Sequence, residues 1–178
     1  MNDVRRPATP HTEAAHREIA ARLPWHENAD EERAHRGFIA RHEGPVQNRP
    51  GTLVGVSWNP ANWDFVQGDP PPTVNPSLWR QAKLNGVHGL FQVRDGIYQV
   101  RGYDTSVASF IETDSGWLVI DPLTTTETGA AAKRLVDEHL GVRDVVAVVY
   151  THSHIDHYGG ILGVVDRERI ASGQCIVV

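Results

Sequence analysis

Thr151-His152-Ser153-His154-Ile155-Asp156-His157-Tyr158-Gly159-Gly160 is the stretch on which the reading of this chain turns. It places three imidazoles and a carboxylate close together, directly behind the apolar run 145–150. A continuous apolar run of that length predicts a strand buried on both faces. Open α/β sheets place their ligands outside the C-terminal ends of such strands. On an extended chain alternate side chains point the same way, so His152, His154 and Asp156 converge on one side. His157 breaks the alternation and requires a turn, which Gly159-Gly160 permits together with close packing behind it.

Four potential ligands so close in sequence are hard to wrap around one ion. They divide more naturally into two pairs, His152 with His154 and Asp156 with His157. Imidazole and carboxylate together suit zinc, and iron or manganese less well. Two ions about 3.5–4 Å apart clamp the attacking and leaving oxygens of a displacement and bring the pKa of a bound water to about 7. That is hydrolytic chemistry. The plainer reading is a histidine-rich surface loop, and the position directly behind a buried strand favours metal binding over it. Asp121 ends a second apolar run, 117–120, and precedes Pro122. A carboxylate there either orients a metal-bound histidine or water or caps a turn, and position alone does not separate the two.

Working back from the loop, residues 126–140 predict an amphipathic helix, with Ala130, Ala131, Leu135, Val136 and Leu140 near one face and Gly141 as its stop. Before it lie two predicted hairpins. One joins 90–93 to 97–101 through Arg94-Asp95-Gly96, the other joins 106–112 to 117–120 through Asp114-Ser115-Gly116. Hairpins, a helix and a buried strand in that order indicate an α/β layered fold. Residues 44–76 are rich in Pro, Gly, Asn and Trp, and proline denies them long regular elements. Trp58, Trp63, Phe65 and Trp79 are expected to pack rather than to bind a ligand. Further upstream, Thr12 is expected to cap a helix over 13–23 and Asp30 a second over 31–41. The expected division is an N-terminal helical and Pro/Trp-rich extension, 1–88, followed by the catalytic-type domain, 89–178.

Composition sets the outer bounds. The 178 residues are 40% hydrophobic and 22% charged, as expected of a soluble globular chain. A net charge of -5 offers no concentrated basic face for nucleic acid. The single cysteine, Cys175, excludes an internal disulfide and a cysteine-rich zinc site. No apolar run approaches the roughly twenty residues of a membrane span. Arg5 and Arg6 are followed by polar residues rather than the apolar core of a secretory signal, so a cytoplasmic location is expected.

H-x-H-x-D-H behind a strand resembles the metallo-β-lactamase superfamily, which has an αββα sandwich. Three further stretches resemble its alkyl sulfatase branch: Thr73-Val74-Asn75-Pro76-Ser77-Leu78-Trp79-Arg80-Gln81-Ala82, Gly96-Ile97-Tyr98-Gln99-Val100-Arg101-Gly102-Tyr103-Asp104 and Val119-Ile120-Asp121-Pro122-Leu123. The resemblance implies cleavage of small-molecule alkyl sulfate esters to an alcohol and inorganic sulfate with two zinc ions, His152 and His154 at one and Asp156 and His157 at the other. Asp121 then matches the superfamily's near-metal aspartate, and Asp156 and Asp121 are the carboxylates expected at the reaction. Enzymes of that branch complete the site with glutamates and a histidine well downstream of the motif, and carry a helical dimerisation domain and a C-terminal sterol-carrier-like domain. Beyond Gly160 this sequence has Asp166 and Glu168 and no histidine. The chain is therefore expected to be the N-terminal part of a longer, homodimeric enzyme, with only the N-terminal half of the sandwich. Two other readings stand beside this one: a superfamily hydrolase acting on a lactam, thioester or phosphoester, and a truncated product without turnover.

Overall fold

The computed structural model describes residues 6–25, 27–48 and 56–178. Residues 1–5 (with Arg5), His26 and residues 49–55 of the Pro- and Trp-rich stretch lie outside the described residues. Two units are distinguished: Met1–Ala34 with Trp63–Gly86, and His35–Asn62 with Val87–Val178.

The first unit is helical. Helix α1 (Pro10–Ala20) begins three residues earlier than the predicted helix, because Thr9 rather than Thr12 is its cap: Thr9 Oγ1 accepts from the Thr12 amide at 3.2 Å. Pro10 then occupies the first turn, where its missing N–H costs nothing. Helix α2 (Ala29–His35) is shorter than the 31–41 expected. Helix α3 (Pro76–Asn85) was not anticipated. Its signal is the pair Asn75-Pro76: the Asn75 side chain accepts from the Ser77 amide at 2.9 Å, and the proline starts the first turn. Arg80 on α3 bonds Asp30 on α2 at 2.8 Å. Trp79 donates Nε1–H to the Gly68 carbonyl at 3.1 Å and packs against Phe65, ring centroids 6.2 Å apart. Trp79 is buried, as expected of it, whereas Phe65 and Trp63 are exposed over more than half their surface, a departure from the packing expected of them.

The second unit is a mixed α/β structure built on a seven-stranded sheet. Its strands are β1 (Phe38–Ala40), then, after a separate short ladder of β2 (Val46–Gln47) and β3 (Val56–Trp58), β4 (Gly89–Arg94), β5 (Ile97–Arg101), β6 (Ala108–Thr113), β7 (Gly116–Ile120), β8 (Val145–Val149) and β9 (Ile176–Val177). The order is β1-β4-β5-β6-β7-β8-β9. Pairing is antiparallel as far as β7 and parallel between β7, β8 and β9. Both predicted hairpins are present. Strand β1 falls where helix was expected: Phe38 and Ala40 pair with Phe91 and Leu90, and sheet contact overrides the local helical pattern.

Parallel pairing requires a crossover, and helix α4 (Thr126–Leu140) supplies it between β7 and β8. Its buried residues are Thr128, Gly129, Ala131, Ala132, Leu135 and Val136. Ala131, Ala132, Leu135 and Val136 join one core with Leu90, Val100, Phe110, Trp117, Val119, Val145 and Val148 of the sheet. Cross-strand register explains the choice of side. Phe110, Val119 and Val148 form one row across β6, β7 and β8, and all three are fully buried. The alternate row of Ile111, Leu118 and Ala147 faces the other way and is half-buried. Strand β8 is thus fully buried along one face only, a difference from the two-faced burial expected of it.

Past β8 the chain forms three short helices, α5 (Ile155–Tyr158), α6 (Ile161–Val164) and α7 (Arg167–Ala171), before β9. Among the described residues no helix is long and apolar enough to cross a membrane.

Candidate metal centre

Strands β7 and β8 are adjacent and parallel, with Ile120 opposite Val149, so both point their C-terminal ends at one place. Asp121 leaves the first and Thr151 the second. The Asp121 amide donates to the Val149 carbonyl at 3.0 Å, which locks the two strand ends together. The Asp121 carboxylate then receives the Thr151 amide on Oδ1 at 2.8 Å and the Thr151 hydroxyl on Oδ2 at 2.7 Å. His157 Nδ1 lies 2.8 Å from the same Oδ2. Asp121 is only 6% exposed. Burial pushes its carboxyl upward, but the bonds from Thr151 and His157 outweigh burial and hold it below the usual carboxylate range.

These contacts show which ring nitrogen faces the interior. A carboxylate can only accept, so the His157 Nδ1–H donates to Asp121, while Nε2 on the far side of the ring faces Asp156. Thr151 gives its own hydroxyl proton to Asp121 and is left with lone pairs, so His152 Nδ1, 3.1 Å from that oxygen, is a donor as well. His152 thereby also presents Nε2.

The four motif residues do come together, though not as an extended chain would place them. The alternation ends at His154, which has extended backbone and stands at the N-terminus of α5. Asp156 and His157 follow on that single helical turn, with the His157 amide bonded to the His154 carbonyl at 3.0 Å. The rings of His152 and His157 are 4.0 Å apart between centroids, and those of His152 and His154 4.6 Å. His157 Nε2 lies 3.2 Å from Asp156 Oδ2. His152 and His154 are exposed, Asp156 and His157 half-buried. The nearest neighbour of His157 is therefore Asp121 on one side and Asp156 on the other, while His152 sits between the other two rings.

By chemistry this donor set suits a divalent transition metal: three imidazoles, the Asp156 carboxylate beside them, and the buried Asp121 carboxylate fixing one ring. Among the described residues, however, no three His, Cys, Asp or Glu side chains form a group that could hold a metal ion as they stand.

The glycines behind the loop act through space rather than through their φ. Gly159 and Gly160 have φ of -63° and -86°, which any residue adopts. A Cβ on Gly159 would stand 2.1 Å from the Thr124 carbonyl oxygen, and one on Gly160 2.1 Å from that of Pro122. The Gly160 amide bonds the Leu123 carbonyl at 2.8 Å. The loop is thus seated on the turn 121–125. That turn holds two non-glycine residues in the left-handed region, Asp121 at φ 55° and Leu123 at φ 70°.

Sequence reasoning gave no role to Thr151, Ser106, Asp104, Thr124 or Thr128. Ser106 donates its hydroxyl to the Asp156 carbonyl. Asp104 accepts from the amides of Thr105 and Thr124 and from the hydroxyls of Thr105, Thr124 and Thr128. Only Thr151 carries a local signal, since it directly precedes the motif; the others lie too far away in sequence.

Comparison with known proteins agrees with this layout. Residues 101–175 match the Metallo-beta-lactamase superfamily. The chain is 42% identical over 175 residues to a linear primary-alkylsulfatase of Pseudomonas sp, covering 97% of this chain and 26% of that protein. It is 41% identical over 172 residues to the alkyl/aryl-sulfatase BDS1 of Saccharomyces cerevisiae, covering 95% of this chain and 26% of that one. Among solved structures, the inverting sec-alkylsulfatase Pisa1 from Pseudomonas sp. superposes with a TM-score of 0.87 at 43% identity, over 97% of this chain and 27% of that chain. The chain spans about a quarter of the length of these relatives. Residues 101–175, with the loop 152–157 inside them, therefore carry a metallo-β-lactamase domain, in a chain similar over nearly its whole length to the alkylsulfatases.

Proposed function

We propose that the loop at the ends of β7 and β8 is the metal centre of a hydrolase that cleaves alkyl sulfate esters, consuming water and releasing an alcohol and inorganic sulfate. The observation that carries the substrate class is the similarity, over 95% or more of the chain, to proteins named alkylsulfatases. The reading assigns two zinc ions, with His152 and His154 at one and Asp156 and His157 at the other; iron and manganese suit this donor set less well. Zinc, when bound, supplies Lewis acidity and brings water into the range where it is a nucleophile at neutral pH. Everything else is work for the chain itself. Asp121 holds the Nδ1 proton of His157, and so keeps Nε2 in the form a metal accepts. Thr151 sets His152 the same way while adding two bonds to Asp121. Asp156 is the acidic ligand, and the helical turn it shares with His157 fixes their separation.

The test has two readings. Elemental analysis of protein purified without added metal is expected to find about two zinc ions per chain, lost in His154→Ala. Sulfate release from dodecyl sulfate is expected to follow the metal content. Absence of bound metal would overturn the metal centre. Metal-dependent cleavage of a lactam, thioester or phosphoester in preference to the sulfate ester would overturn the substrate class and leave the centre standing.

A further inference from the structure

We infer that Asp104 is a positioning residue for the metal loop. It acts on the loop through the turn 121–125, while its neighbour Ser106 holds α5 directly. The inference rests on the reading of residues 152–157 as the metal centre.

Asp104 is 9% exposed, and a carboxylate so far from water has to be compensated. Its five donors are all neutral: two amides and three hydroxyls. A carboxylate offers about four lone-pair sites, so this one is saturated and is not itself a metal ligand. What it holds is informative. Oδ2 takes the Thr124 amide at 2.9 Å and the Thr128 hydroxyl at 2.8 Å, and Oδ1 takes the Thr124 hydroxyl at 2.6 Å. Thr128 is 1% exposed and forms a reciprocal cap with Thr125 at the start of α4. One carboxylate thus pins the far end of the turn to the helix that follows it, while Asp121 pins the near end to Thr151 and His157.

The turn in turn seats the loop. Its carbonyls at Pro122, Leu123 and Thr124 are the surface against which Gly159 and Gly160 pack, and Leu123 accepts the Gly160 amide. From the other side Ser106, two residues beyond Asp104, donates to the Asp156 carbonyl. That carbonyl belongs to a one-turn helix, whose last carbonyls lack intrahelical partners. The segment around Asp104 therefore grips the histidine loop at Asp156 directly and at Gly159–Gly160 through the turn, without a side chain among the ligands.

Amide hydrogen exchange of the metal-free chain, resolved by peptide, tests this without reference to turnover. Asp104→Asn puts a donor where Thr124 or Thr128 must donate, and Thr128→Val removes one donor while leaving the carboxylate. Both are expected to speed exchange across 151–160 by about tenfold or more, with β4 to β6 changing little. Thr128→Ser, which keeps the hydroxyl, is expected to restore wild-type exchange. Val136→Ala in the α4 core serves as the control for general loosening. Unchanged exchange at 151–160 in Thr128→Val, or a rise spread evenly over the sheet as in Val136→Ala, would overturn the inference. Should Asp104→Asn fail to fold, Thr128→Val and its serine rescue decide the matter. Failure of the sulfatase reading would appear in the substrate assay and leave these exchange rates untouched.

Discussion

Gly160→Ala is the sharpest probe of how the loop is seated. The added Cβ would stand 2.1 Å from the Pro122 carbonyl oxygen, 2.7 Å from that of Thr125 and 3.2 Å from that of Leu123. A tolerable carbon–oxygen contact is about 3.3 Å, so the first is more than about 1 Å short. All three atoms are backbone, and no side-chain rotation relieves the clash. The turn has to move, and it is held by Asp104 at one end and Asp121 at the other. Overpacking of this kind costs about 1–3 kcal/mol, and loss of the 2.8 Å bond from the Gly160 amide to Leu123 adds about 1 kcal/mol. We expect a destabilisation of about 3 kcal/mol. Urea denaturation followed by circular dichroism measures it, and with a slope of about 1–3 kcal/mol per molar the midpoint falls by about 1 M or more. Gly86→Ala is the control: φ there is -69°, the nearest atom to the new Cβ is 3.2 Å away, and the change should stay within about 1 kcal/mol. A Gly160→Ala midpoint equal to wild type would show that the loop does not lie against the turn as described.

Leu135→Ala, in the core face of α4 at 2% exposure, is expected to destabilise by about 2–5 kcal/mol, whereas Leu78→Ala at 64% exposure should stay within about 0.5 kcal/mol; the same denaturation curves compare them. Asp121→Asn keeps the shape but weakens the acceptor facing His157 and Thr151, so a loss of about 1.5–3 kcal/mol is expected, and nitrogen-detected NMR of His157 should show a weakened Nδ1–H hydrogen bond. Asp30 is held below the usual carboxylate range chiefly by its bond to Arg80, so the contribution of this pair to stability is present above a pH of about 4 and lost as the pH falls through the lowered pKa. Carbon-detected titration of Asp30 is expected to give a midpoint that rises toward the ordinary value in Arg80→Gln; an unchanged midpoint would deny the pair.

Much of the second unit was legible because its signals are local. Arg94-Asp95-Gly96 and Asp114-Ser115-Gly116 each sit between apolar runs, and α4 spans the residues expected from its apolar face and from Gly141. Where the sequence misled, a distant partner had decided the outcome. Phe38 and Ile39 read as helix, but Phe38 pairs with Phe91, more than fifty residues away. Asp156 read as the third residue of an extended row, but the chain coils into α5 at Ile155, because the glycines that follow press against the turn 121–125. The side chains of the proposed site are named by H-x-H-x-D-H itself; what orients them is not. Asp104, Thr124 and Thr128 are ordinary residues in sequence, and their role exists only once the turn brings them together.

Asp121 shows most directly how the site shapes the fold around it. A residue before proline is driven toward extended backbone, yet Asp121, preceding Pro122, has φ of 55°. Leu123, fully buried, stands at φ 70° two residues later. Each such departure costs about 1–3 kcal/mol and persists only where the surroundings over-determine it. Here they do so with bonds that have little other purpose. Asp121 would need none of its three contacts to end a strand, and Thr124 does not need two bonds to one carboxylate in order to precede a helix. An unstrained turn would leave the sheet and α4 in place but would aim the Asp121 carboxylate elsewhere. The strain is therefore concentrated on the geometry of His157 and the loop floor, which is where the proposed metal centre would require it.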